Sequence, residues 1–253
     1  MNNESIEECI CLLKRRGFLI EKREDSYILS DNSEKSDFQY LNDLLLKYSI
    51  GTVSSQGRIH IEQNAKSERL LDMFAVTPRG IVGVGSNNRC HGWYKVWRHE
   101  HADKIPVAWL EANIARYIKA LSACGIFTGG CCDGNHPGFK RMKIEFDGPI
   151  YEMFHECLWK YSLEEKFSLR WEKKYSEVFL GDNRQEQYDA LNCAADYIYE
   201  NRFAIQNIRK QAAKWMNKEI VKTMEDDEIA SVFIENVIDE LTKHSLEEFA
   251  LIG

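Results

Sequence analysis

The chain has 253 residues, 44% hydrophobic and 29% charged, with a formal net charge of −7. That length suits one large domain or two modest ones, and the balance is that of a globular protein, not a disordered or fibrous one. No apolar run nears the roughly 18 residues of a membrane span.

The opening "MNNESIEECICLLKRRGF" places its acids before its apolar stretch and its bases after, the reverse of a secretory leader. The expectation is a cytoplasmic protein, off the membrane, with its eight cysteines reduced. From Met224 onward nine acidic residues stand against one lysine, Lys243, so the tail carries the acidity and the body is close to neutral. Overall acidity therefore does not exclude a nucleic-acid surface on the body.

In chain order, Ile6, Cys9, Ile10 and Leu13 share one helical face, and Gly17 after "RR" predicts the end of that helix. "FLIEKREDSYILS" predicts two strands about a charged turn at Glu24-Asp25. "DFQYLNDLLLKYSIG" predicts a helix capped by Asp37, and "TVSSQGRIHIEQ" a hairpin turning at Gln56-Gly57. "FAVTPRGIVGVGS" suggests a hairpin at Pro78-Arg79-Gly80, and "GWYKVWRHEH" an aromatic-rich strand.

"PVAWLEANIARYIKALSACG" predicts a helix starting near Pro106, with Leu110, Ile114, Tyr117, Ile118 and Leu121 as its stripe. "IFT", a glycine-rich loop and "RMKIEF" then read as strand, loop and return strand. Three segments thus share one layout: helix, glycine, strand, turn, strand. "IYEMFHECLWKYSLEEKFSLRWEKKYSEVFL" predicts a helix followed by a helix or an extended piece. Beyond Arg184 the pattern is helical, with stripes at Leu191, Ala194, Ala195 and Ile198, and at Ile229, Val232, Phe233, Val237 and Leu241.

The fold class expected is α+β: a mainly antiparallel sheet of helix–hairpin units over residues 1–150, followed by a mainly helical portion over 151–253 that ends in an acidic helix.

"GIFTGGCCDGNHPGF", residues 125–139, concentrates the chemistry. Gly129 and Gly130 allow backbone to approach a ligand, and successive amides there can cradle an anion. Asp133 and His136 are the candidate acid/base pair, His136 having the side-chain type that titrates nearest neutrality. Cys131 and Cys132 are adjacent, so in a strand only one can face a given site. The plainer reading is a hairpin loop of ordinary Asp-Gly-Asn turn chemistry.

The stretch "L-x-x-C-G-I-F-T-G-G-C-C-D-G-N-H-P … K-I-E-F" resembles a motif of bacterial and phage proteins of unknown function. It is also similar to the Thr-Ser-Ser-Cys-Ser-Gly-Arg stretch of the tRNA wybutosine-synthesis methyltransferase family. Gly125, Ile126, Thr128, Cys132 and Gly134 match, with Ile144-Glu145-Phe146 as the following strand. Cys131 stands where Ser is usual, and His136 falls one residue after the expected His or Arg position, which holds Asn135. The resemblance covers about 25 residues. It implies a helix–strand–loop–strand unit with its loop at a functional edge, and transfers no substrate.

His99 and His101, two apart on a predicted strand, share a face and are the candidate ligands of a divalent metal. No Cys-x2-Cys or His-Glu-x-x-His occurs. "GVGSNN" lacks the spacing of a dinucleotide loop. "FKRMK", "WYKVWRH" and "RWEKKY" interleave bases with aromatics, the combination that grips single-stranded or flipped bases, and also the look of an ordinary amphipathic strand. Arg209, Lys210, Lys214 and Lys218 form a basic helical face ahead of the acidic tail, either paired across adjacent helices or solvated, or else masked by the acidic helix until a partner arrives.

Three classes stay open. One is a protein acting on or binding RNA or DNA. In it Asp133 or His136 moves protons, His99 and His101 hold phosphate or metal, and Thr128, Gly129, Gly130, Lys140, Arg141 and Lys143 hold the ligand. The second is a sensor of a small phosphorylated ligand or nucleotide. The third is an interaction module of phage or defence type, with a protein partner on the C-terminal helices and no chemistry.

Overall fold

A computed structural model describes residues 3–31, 33–75, 106–126, 128–134, 142–146, 149–167, 170–172, 177–179, 184–216 and 226–243. The predicted hairpin at 78–80 and the aromatic strand after it lie outside them.

The first half is two helix–hairpin units. Helix α1 (Asn3–Arg15) ends in Gly17, whose φ of +111° a side chain would strain. β1 (Ile20–Arg23) and β2 (Ser26–Leu29) follow as an antiparallel pair about Glu24-Asp25. Helix α2 (Lys35–Lys47) starts one turn earlier than Asp37 suggests. Glu34 is its cap, accepting from the Ser36 N–H at 2.5 Å, while Asp37 accepts from the Glu34 N–H at 3.2 Å. Asp37 is the third helical residue of a capping box, where a carboxylate serves the cap backbone. β3 (Gly51–Val53) and β4 (Arg58–Ile61) complete the unit. A short 3-10 helix (Ser67–Leu71) and α3 (Asp72–Ala75) close the first half.

The second half begins with a 3-10 turn (Val107–Trp109). Its first helix, α4 (Ala115–Ala123), is shorter than the apolar stripe suggests. Glu111 and Asn113 instead turn their side chains to the loop after β5 (Thr128–Cys132), which costs the first predicted turns of helix. β5 pairs with β6 (Met142–Phe146), and the strand runs through Gly129 and Gly130, so the glycines lie within the sheet and not in the loop. Then come α5 (Pro149–Leu158), a π turn (Trp159–Leu163) and α6 (Glu164–Phe167) in unbroken succession. The stretch read as helix or extended supplies a second hairpin, β7 (Arg170–Glu172) and β8 (Glu177–Phe179).

The two sheets share one topology. Their strand orders are β1-β2-β4-β3 and β5-β6-β8-β7, and every pairing within them is antiparallel. Each half therefore runs helix, hairpin, helix, hairpin, with the second strands of its hairpins paired at the centre. The shared layout of the sequence segments is thus a repeat of two larger units, and the fourth hairpin is the piece that sequence pattern leaves hidden.

Helices α7 (Arg184–Glu200), α8 (Arg202–Met216) and α9 (Asp226–Lys243) follow, giving the expected α+β fold with a helical C-terminal portion. The predicted stripe of α7 is buried at Leu191, Ala194, Ala195 and Ile198. No helix among the described residues is long and apolar enough to cross a membrane.

Two apolar cores result. One gathers Ile10, Leu13, Phe18, Leu41, Leu45, Ile50 and Ile59 between α1, α2 and the first sheet. The other gathers Tyr117, Ile118, Ile144, Tyr151, Phe154, Trp159, Leu191, Ile198 and Phe233. Burying each such side chain fully contributes about 1.5–3 kcal/mol. The seam between the cores lies near Val107–Leu110, whereas the change to helical content near residue 150 falls inside the second core.

Polar groups cross that seam. Lys119 Nζ meets Asp37 Oδ2 at 2.9 Å with both side chains almost fully buried, and the Val107 N–H donates to Asp37 Oδ1 at 2.7 Å. Arg16 donates to the Val107 carbonyl at 3.1 Å and to Tyr40 Oη at 3.1 Å. Arg116 donates to the Phe18 carbonyl at 3.3 Å and pairs with Asp196 of α7. Tyr199 Oη lies 3.0 Å from Glu21 Oε1 and 2.9 Å from Ser30 Oγ, tying α7 to the first hairpin.

Candidate functional site

Asp133 follows β5 at the root of the glycine-rich loop, and it is 1% exposed. Asn113 Nδ2 donates to its Oδ2 at 3.0 Å. Its own N–H donates to Glu111 Oε2 at 2.6 Å, and Tyr188 Oη of α7 donates to its carbonyl at 3.0 Å. Glu111 and Asn113 are themselves buried. Buried polar atoms need partners, and this node supplies them from three directions. Such a node fixes where the loop leaves the sheet. An acid or base must instead reach its substrate's proton, and the Asp133 side chain is turned into the protein.

The two cysteines differ as strand alternation requires. Cys131 packs against the second core, and burial pushes its thiol up to about 12. Cys132 is less enclosed. Its sulfur accepts from the Gly134 N–H at 3.4 Å, and desolvation raises its thiol. A raised thiol is a poor nucleophile at neutral pH.

The remaining candidates scatter. Thr128 is buried, opposite Phe146 on β6. Gly129 and Gly130 lie in β5 beside an irregularity in its pairing. Lys143 stands half-exposed on β6 and pairs with Glu145 at 2.7 Å. His136, Lys140, Arg141, His99 and His101 lie outside the described residues. Among the described residues no group of three or more His, Cys, Asp or Glu is placed to hold a metal ion.

Arg209 does not belong to a solvated basic face. It is buried, and its guanidinium donates to the Gly125 carbonyl at 2.9 Å, locking α8 onto the turn before β5. Lys210 beside it is exposed.

Pattern reading misses His155. It is fully buried on α5, and its Nε2 shares a 2.7 Å hydrogen bond with Tyr117 Oη. Phe146 and Trp159 enclose its ring at centroid distances of 4.8 and 5.6 Å. Burial pulls the imidazole down to about 3, so it is neutral in the folded protein. The signal was a lone histidine within "YEMFHECLW", an apolar helix.

The clearest open surface is on the first sheet. Along β4 the side chains alternate: Arg58 exposed, Ile59 buried, His60 exposed, Ile61 buried. The register places Arg58 beside Ile28 and Glu21, and His60 beside Thr52. Arg23 stands exposed on the same face and reaches Glu21 at 3.7 Å and Asp31 at 4.0 Å. The opposite face fills the first core. The result is an antiparallel sheet with one apolar and one polar, arginine-bearing face.

No family model, curated protein or solved structure matches the chain.

Proposed function

We propose that this protein binds nucleic acid through the sugar–phosphate backbone, using the open face of the first sheet. The observation that carries the reading is the Arg58–His60 row with Arg23 on that face. Exposed guanidinium groups on a firm sheet suit phosphate oxygens, which accept two parallel N–H donors from one arginine. The face carries no Phe, Tyr or Trp on the described strands, and its one ring is the His60 imidazole, so the reading rests on phosphate contacts and sequence preference is weak. Lys143 on the second sheet is a secondary contact, damped by Glu145. No proton-transfer step is assigned, because the Asp133 side chain supports its loop from inside the protein.

Fluorescence anisotropy with labelled single-stranded RNA, single-stranded DNA and duplex DNA tests the reading. Arg58→Glu with Arg23→Glu is expected to weaken binding about tenfold or more. The slope of log affinity against log salt is expected to flatten by about one for each phosphate that the variant no longer neutralises. Wild-type protein that binds none of the three at low salt, or a folded double variant that binds as wild type does, ends the proposal.

A further inference from the structure

Resting on the phosphate-binding reading of the open sheet face, we propose that its ligand is a single strand and that the exposed ring of Phe203 stacks one of the strand's bases. α7 and α8 are separated by Asn201 alone, a buried residue whose side chain donates to the Tyr197 carbonyl at 2.9 Å. This junction meets the sheet at β1. Tyr199 Oη donates to Glu21 Oε1 at 3.0 Å, and Arg202 pairs with the same oxygen at 3.5 Å. Arg23 reaches the other oxygen of that carboxylate at 3.7 Å. Glu21 belongs to the open face, in register with Ile28, which is in turn in register with Arg58. Adjacent strands lie about 4.8 Å apart, so the Arg58 backbone stands about 10 Å from that of Glu21.

The ring is backed by protein. Arg202 folds back to donate to the Tyr199 carbonyl at 2.9 Å. Its guanidinium lies 4.3 Å from the centre of the Tyr199 ring and 4.5 Å from that of Phe203. A guanidinium is planar and stacks on aromatic faces, so it steadies both rings. Its charge is matched by Glu21, and its part here is to hold Phe203 in place. Phe203 nevertheless stays 60% exposed, the most of any large apolar side chain among the described residues.

A single exposed apolar residue is ordinary on a protein surface. What separates Phe203 is its place: a steadied ring joined through Arg202 and Glu21 to the face that carries Arg23, Arg58 and His60. Phosphate contacts beside an aromatic platform are the combination that holds an unpaired strand. In a duplex the flat faces of the bases are covered by their neighbours, so a ring gains nothing there. In a single strand they are open, and every base offers one, so stacking adds affinity without adding sequence preference.

Anisotropy titrations of the full chain with three probes of equal length test it: a single-stranded RNA, a sugar–phosphate strand without bases, and duplex DNA. Wild-type protein is expected to bind the base-bearing single strand most tightly. Phe203→Ala and Phe203→Leu are each expected to weaken that binding about tenfold and to leave the other two probes within about twofold. Phe203→Trp is expected to keep it. Arg58→Glu is expected to weaken all three, because all three carry phosphates. If wild type binds no probe, the phosphate reading fails and stacking with it. If wild type binds but folded Phe203→Ala matches it on the base-bearing strand, stacking alone is overturned and the phosphate reading stands. Equal losses on all three probes overturn it too, since the ring would then only support the arginines. So does a dimer that Phe203→Ala splits in sedimentation velocity without loss of strand binding, which would make a second copy of the chain the occupant.

Discussion

The two halves repeat one strand order and bury very different things. The first core holds few polar groups, among them Arg16, Ser30, Ser33 and Asp37. The second half buries Glu111, Asn113, Arg116, Lys119, Thr128, Asp133, His155 and Arg209. Their connections differ as well. In the first half β1 and β2 are joined by Glu24-Asp25, and β3 and β4 by Ser54–Gly57, with Gly57 at φ +77°. In the second half β5 and β6 are joined by a long connection rooted in the Asp133 node. The helix between hairpins is plain in the first half and carries a π turn in the second. A layout set by strand pairing thus leaves the polar interior free to diverge. The first half keeps a simple sheet with an open face, and the second invests its polar groups in holding loops and helices together.

Three substitutions probe that contrast. The largest effect is expected where the halves are latched. Lys119→Ala leaves the buried Asp37 carboxylate without its cation and is expected to lower stability by about 3–5 kcal/mol, since an uncompensated buried charge is costly. Urea denaturation measures it, and a loss below about 1 kcal/mol would mean that the halves hold together without the latch.

Next is Gly17, where α1 ends against α4. A Cβ there would lie 2.8 Å from the Ala115 Cβ, at a φ of +111°. Left-handed backbone costs an ordinary residue about 1–2 kcal/mol and overpacking about 1–3 kcal/mol more. Gly17→Ala is therefore expected to destabilise by about 2–5 kcal/mol, read from the same denaturation curves. Gly125, at φ +74° before β5, is the second half's counterpart, with Arg209 crowding it in place of a helix.

The smallest effect separates the halves by pH. His155 is neutral when folded, with its imidazole at about 3, and near 6.5 when unfolded. Between those values the unfolded chain binds the extra proton. The His155 contribution is therefore constant above about pH 6.5 and turns destabilising as pH falls toward 3. His155→Phe is expected to cost about 1–2 kcal/mol at about pH 7.5 by leaving the Tyr117 hydroxyl without its partner, and to flatten the fall in stability on acidification. Melting temperatures from about pH 7.5 to about pH 4 check this. An unchanged slope would place the acid sensitivity elsewhere. His60, the described histidine of the first half, is exposed.

Sequence pattern located the first half almost element by element. Alternation in "RIHI", the glycine after "RR" and the apolar stripe of α2 each report short-range geometry. The stripe of α7 was equally legible, because a helix buried on one face repeats every 3.6 residues, whereas α4 is buried continuously from Ala115 to Leu121, and its Arg116 and Lys119 gave no sign of that. The hairpin at Arg170–Phe179 was not, since its strands are three residues each, too short to show a period. Of the candidate site, the place of Asp133 at a strand end was readable, but not its partners. Glu111 and Tyr188 lie 22 and 55 residues away, and nothing local marks them.

By itself, then, the sequence determined where the helices and most strands fall, the absence of a long apolar span and the concentration of acid after Met224. These follow from composition and from periods of two and 3.6, which neighbouring residues set among themselves. Only the tertiary structure decided that the units make two like sheets, that Lys119 finds Asp37, that Arg209 is interior and that a lone histidine is neutral. Those outcomes depend on contacts across many tens of residues, where the cost of burying a charge or a ring nitrogen is settled by whichever partner the fold brings to it.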